Sequence, residues 1–144
     1  MLGKGITIDY DRIQRAVARA TGSGGGWKPI PKGSSVSIVI PTGTSVGEEF
    51  NASAEPDDGY EMVISYIILS VPDGVEANVL VETSEGEFPL LANNVTTGVQ
   101  LDASDFLGLG GIKRLTLYAK VNAVPTSDIT VSMEFGGRQI KVEG

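Results

Sequence analysis

Arg12, Arg15 and Arg19 recur at intervals that place three guanidiniums on one side of a helix. Each presents a planar fork of donors that matches a carboxylate or a phosphate, so the stripe suits recognition of acidic groups. The plainer alternative is the solvated side of a docked amphipathic helix, because exposed ion pairs contribute little. The other side carries Tyr10, Ile13 and Val17, which fall within about 60° of one another at about 100° per residue. Trp27, the only tryptophan, follows shortly after. Its large ring suits it to anchor the segment in a pocket, and equally to plug the end of a fold.

Carboxylates gather at Glu55, Asp57 and Asp58 in EPDDGY, and at Asp102 and Asp105 in LDASDF. Such oxygen-rich runs suit calcium, but neither has the spacing of a known calcium loop, and Asp-Asp-Gly is also ordinary turn chemistry. No metal ligand is therefore assigned. Asn51-Ala52-Ser53 and Asn94-Val95-Thr96 fit the glycosylation sequon, a pattern that also arises by chance. The chain has no His and no Cys, which removes the commonest general base, the commonest transition-metal ligand and the thiolate nucleophile. P-loop, GxGxxG and HExxH patterns are absent. A carboxylate pair of the glycosidase kind is the one enzymatic arrangement still open. The expectation is a non-enzymatic protein with no catalytic residue and no cofactor.

The elements that would position these residues differ between the two ends of the chain. Asp9 to Ala20 has a helical period, with Asp9 as N-cap, Asp11 near the positive end of the dipole and Gly22 as the stop. A helix of about 12 residues is marginal alone in water, so it is expected to dock on something. By composition GSGGG, residues 22 to 26, is a hinge, stiffened afterwards by Pro29 and Pro31. Residues 1 to 32 carry six basic and two acidic groups (6 − 2 = +4), and the remainder five and sixteen (5 − 16 = −11), for a net −7. A basic arm on an acidic body is expected to meet something negative.

From Gly33 onward, short apolar runs alternate with turns. VSIVIP, EEFNASA, YEMVISYIILSV, ANVLVET, EFPLL, VTTGVQL, KRLTLYAKV, ITVSMEF and RQIKVE read as strands. Pro72-Asp73-Gly74 reads as a turn, Ser84-Glu85-Gly86 as the tip of a hairpin, and Gly136-Gly137 as the link between the last two strands. YIILSV is continuously apolar and is expected to be central or covered on both faces. With 144 residues, 19 glycines and strands about every ten residues, the expected fold class is all-β. The architecture expected is an antiparallel β-sandwich of jelly-roll or Greek-key type at 33–144, preceded by the short helical arm at 1–32.

This layout resembles the virion structural proteins of phages and archaeal viruses, the small Cys-free cement, decoration and minor capsid proteins. The resemblance runs over the arm through Lys32 and the ladder from Val36 to Val142, including SYIILSVPDGVEANVLVE and the closing MEFGGRQIKV. It implies a protein that stabilises a shell through its arm, with Tyr10, Arg12, Ile13, Arg15, Val17, Arg19 and Trp27 as partner-binding residues. The implied partners are a major capsid protein or further copies of the chain as a homo-oligomer, with neither nucleic acid nor membrane. The implied location is the virion, after synthesis in the host cytoplasm without a signal peptide. The alternative is a carbohydrate-binding or adhesive sandwich using exposed aromatics, for which the body offers Tyr60, Tyr66, Tyr118 and its phenylalanines.

Overall fold

The turn signals recognised in the sequence become the corners of an antiparallel ladder. The computed structural model describes residues 26–102 and 111–142. The helical arm expected at Asp9–Ala20 lies outside them. Among the described residues there are nine strands and no helix: β1 (Trp27–Pro29), β2 (Ser35–Ile40), β3 (Glu49–Ala54), β4 (Tyr60–Ser70), β5 (Val75–Thr83), β6 (Leu90–Val95), β7 (Val99–Asp102), β8 (Ile112–Val121) and β9 (Ile129–Lys141).

The pairing is nested. β2 pairs with β9, β3 with β8, β4 with β7 and β5 with β6, all antiparallel. Lateral pairs β4–β9 and β5–β8 then assemble two groups, β2-β9-β4-β7 and β3-β8-β5-β6, with β1 continuing the β2 edge along β9. A single bridge, Met62 to Ile112, joins the groups, so by hydrogen bonding the nine strands form one curled sheet.

Alternation along the strands decides what is buried. Val75, Ala77, Val79, Val81 and Thr83 of β5 point inward, while Glu76, Asn78, Leu80 and Glu82 between them are half-buried on the other face. The same phase buries Leu115, Leu117, Ala119 and Val121 of β8. From the other group Ile38, Ile40, Ile67, Leu69, Val131, Met133 and Phe135 complete one continuous core. Each fully buried aliphatic side chain contributes about 1.5–3 kcal/mol relative to exposure. β4 is paired on both edges, as its continuous run YIILSV suggested; Ile67 and Leu69 are buried and Ile68 is half-covered on the outer face.

Three local readings change. Gly136-Gly137 is not a link between strands, because β9 runs unbroken from Ile129 to Lys141. These glycines serve close approach. A side chain at Gly136 would enter the Tyr66 ring, and one at Gly137 (φ 147°) would sit 2.1 Å from the Val63 carbonyl oxygen. Opposite them the β4 register shifts between Ile64 and Tyr66, leaving Ser65 as the extra residue of a bulge. VTTGVQL, read as one strand, is split between the end of β6 and β7. The strand expected at EFPLL begins later, at Leu90, although the hairpin tip stands: Thr83 N–H donates to the Glu87 carbonyl (2.9 Å) and Gly86 has φ 83°.

At one end the β2–β3 loop is tied to the β8–β9 loop. The Thr42 N–H (2.9 Å) and hydroxyl (3.0 Å) both donate to Asp128 Oδ1, and the Gly43 N–H donates to the Pro125 carbonyl (3.0 Å). At the other end the β3–β4 turn, the β5–β6 tip and the start of β1 come together.

Candidate assembly surface

The partner-binding residues expected on the arm, Tyr10, Arg12, Ile13, Arg15, Val17 and Arg19, lie outside the described residues; the last of the set, Trp27, is the first residue of β1. Pro29 and Pro31 confine a strand to a short piece here, and a prolyl residue is tolerated because β1 is an edge strand. Trp27 pairs with Ile140, Lys28 with Gln139 and Pro29 with Arg138. Ile30 then turns into the core at 8% exposure, so the stretch leading out of the glycine run is seated on the body.

Two contacts fix this root. The Lys28 ammonium forms an ion pair with Asp57 and stands 4.4 Å from the Tyr60 ring centroid. Its hydrogen bond with Asp57 raises the lysine pKa above 10.5 and, reciprocally, holds the aspartate below 3.8. Asp57 is held in place by its own N–H, which donates to Gln139 Oε1 (2.7 Å). The Trp27 indole is 62% exposed, with the Arg138 guanidinium carbon 6.0 Å from its ring centroid. It does not plug the end of the fold. It is presented outward on a sheet edge with a cation beside it, at the point where residues 1–25 join the body.

The carboxylates of EPDDGY do not converge on a common point. Glu55 Oε2 accepts from Arg114 Nε (3.0 Å) and Nη2 (2.8 Å), while Asp57 faces Lys28. Among the described residues no group of three or more Asp, Glu, His or Cys side chains could hold a metal ion. Asp105 of the second run lies outside the described residues. No helix among those residues is long and apolar enough to cross a membrane.

The outer face of β3-β8-β5-β6 carries two further features. Across its middle, Asn51, Tyr118 and Asn78 stand in one row. Tyr118 is 37% exposed, and Asn78 Oδ1 accepts from the Asn94 N–H (2.8 Å). Tyr60 and Tyr66 are half-buried; the Tyr66 hydroxyl donates to Glu134 Oε2 (3.3 Å). Toward the hairpin tip, Leu80 is opposite Leu90. The Val81 N–H to Pro89 carbonyl and Thr83 N–H to Glu87 carbonyl bonds place Phe88 beside Glu82 on the same face. Phe88 is 60% and Leu90 49% exposed. Sequence reasoning passed over this pair, although EFPLL has the alternation that puts both on one face opposite Leu80.

No protein-family model matches the chain, and no curated protein matches it. Among solved structures it is distantly similar to the Yersinia pseudotuberculosis-derived mitogen (11% identity, TM-score 0.46, 79% of this chain and 88% of that one). It is also distantly similar to infectious bursal disease virus VP2 in a subviral particle (12% identity, TM-score 0.39, 80% of this chain and 33% of that one). T=1 particles derived from infectious bursal virus give 12% identity and a TM-score of 0.38, over 82% of this chain and 32% of that one. The chain thus spans about a third of the viral chains it resembles.

Proposed function

We propose that this chain is a virion structural protein, a cement, decoration or minor capsid component, whose body is a jelly-roll sandwich and whose basic N-terminal segment ties it to its neighbours. The nested strand pairs are those expected when a long antiparallel hairpin is rolled up, and jelly rolls of this kind recur in capsid and lectin domains. Fold alone does not select a function. The observation that carries the reading is Trp27, held outward at 62% exposure on an edge strand, beside Arg138 and at the root of the basic segment 1–26 (4 − 2 = +2). A buried aromatic is the commonest anchor of an interface, and an exposed one on a fixed strand is available to become it. The reading is non-enzymatic and needs no cofactor. Its partners are a major capsid protein or copies of the chain, its location is the virion, and neither nucleic acid nor membrane has a part.

The test compares the full chain with a chain beginning at Gly26, which keeps β1 and Ile30. The shorter chain is expected to fold and to lose incorporation into particles. Incorporation at the full chain's level by the shorter chain, or by the Trp27→Ala variant, would sink the proposal.

A second reading, a carbohydrate-binding face, is favoured by the row Asn51, Tyr118 and Asn78, where an exposed ring lies between two amides. Rings of this kind offer an apolar surface with a polar handle, and amides supply paired donors and acceptors. Saturable binding on a glycan array that disappears in the Tyr118→Ala variant and survives loss of residues 1–25 would favour this reading over the first.

A further inference from the structure

We infer that the outer face of the β5–β6 hairpin, built on Leu80, Phe88 and Leu90, is the surface that receives the N-terminal segment of a second copy of this chain. The inference rests on the assembly reading above and supplies its receiving side.

Phe88 (60% exposed) and Leu90 (49%) are large apolar side chains held side by side on an edge hairpin, and Leu80 extends the patch onto β5. Paired apolar exposure of this kind marks an interaction surface more often than scattered single residues do. The hairpin itself, residues 75–95, contains Glu76, Glu82, Glu85 and Glu87 and no Lys or Arg, with Glu82 shared with Lys113 and Arg114 of the neighbouring β8. The segment before Trp27 has the complementary pattern, with Tyr10, Ile13 and Val17 spaced for one helical face and Arg12, Arg15 and Arg19 for the other. Three apolar residues face three, and arginines flank them where the hairpin supplies carboxylates. Among the described residues nothing covers the patch, and its inferred occupant is another copy. The hairpin tip lies at the same end of the fold as Trp27, on the opposite edge of the strand order. Because the giving and receiving surfaces are different patches, the contact is heterologous, and it closes into a ring or propagates.

The experiment uses the full chain in light scattering and sedimentation, with circular dichroism to confirm folding. The wild type is expected to form a defined oligomer or larger species. Phe88→Ser with Leu90→Ser replaces exposed groups and is expected to stay folded while weakening association by at least about tenfold. Glu85→Arg with Glu87→Arg is expected to weaken it similarly, and combining that pair with Arg12→Glu, Arg15→Glu and Arg19→Glu is expected to restore it. A monomeric wild type overturns the inference and leaves the assembly reading with a foreign partner. An oligomer dissolved by the arginine reversals but indifferent to the hairpin substitutions also overturns it. An oligomer indifferent to both sets overturns the inference and takes the arm reading with it.

Discussion

The Arg138 guanidinium carbon lies 6.0 Å from the centroid of the Trp27 ring, across the pairing of β1 with β9, and the indole is nevertheless 62% exposed. The backbone of Trp27 is fixed by its strand, and its ring has one cation beside it without being buried. A side chain ordered before it meets a partner loses less conformational freedom on binding, which raises the affinity obtainable from its area.

Trp27→Ala should therefore separate folding from assembly. Substitution of an exposed residue away from special backbone is expected to change stability by no more than about 0.5 kcal/mol. Thermal unfolding should give nearly the wild-type midpoint while particle incorporation is lost; a large drop in midpoint would mean that the ring supports the body.

Leu117→Ala should behave in the opposite way. Leu117 is fully buried on β8 between Ala52 of β3 and Val79 of β5, where the cavity cannot readily collapse. A loss of about 2–5 kcal/mol is expected, read as a lower urea midpoint at unchanged slope.

Gly137→Ala tests the close approach at the β4 bulge. With φ 147° and the Val63 carbonyl oxygen 2.1 Å from where a Cβ would sit, an alanine must strain the backbone or push β4 away. The expected cost is about 1–3 kcal/mol. If the pair merely linked two strands, alanine would be tolerated and the urea midpoint would not move.

Acid should loosen both ends of the fold through two aspartates. Thr42, through its N–H and then its hydroxyl, holds Asp128 below the usual 3.8, and Lys28 holds Asp57 below it by a hydrogen bond and by charge. A carboxylate whose pKa is depressed on folding contributes stability that is present above its unfolded value and is lost as pH falls through its folded one. Stability should therefore decline below about pH 4, and Asp128→Asn should be less stable at neutral pH with a shallower acid decline. Lys28 has the opposite sign. Its pKa is raised above 10.5, so its contribution is present below that value and lost as pH rises through the folded one. Unfolding midpoints measured from acid to alkaline pH check both limbs.

The all-β class, most strand positions and the hairpin tip at Ser84-Glu85-Gly86 could be read from the sequence, because alternation and turn chemistry are local. ANVLVET announces its buried and outward faces in its own period of two, and Pro72-Asp73-Gly74 ends β4 without reference to anything distant. The role of Gly136-Gly137 was hidden. Two glycines in a row read as a turn, and only the approach of Tyr66 and Val63, some seventy positions earlier in the chain, requires them inside a strand. The splitting of VTTGVQL between β6 and β7 likewise depends on which neighbours each half finds, β5 for one and β4 for the other.

Composition and spacing by themselves determined that the chain is β-rich, lacks His and Cys, and joins a basic segment to an acidic remainder. Tertiary structure alone decided which exposed residues share a surface. Leu80, Phe88 and Leu90 become one patch through cross-strand register, Trp27 meets Arg138 because β1 lies against the end of β9, and Asp57 meets Lys28 for the same reason. Periodicity assigns each residue a side of its own strand, whereas a surface is made by the pairing of strands distant in sequence, and that pairing is fixed by the packing of the whole core.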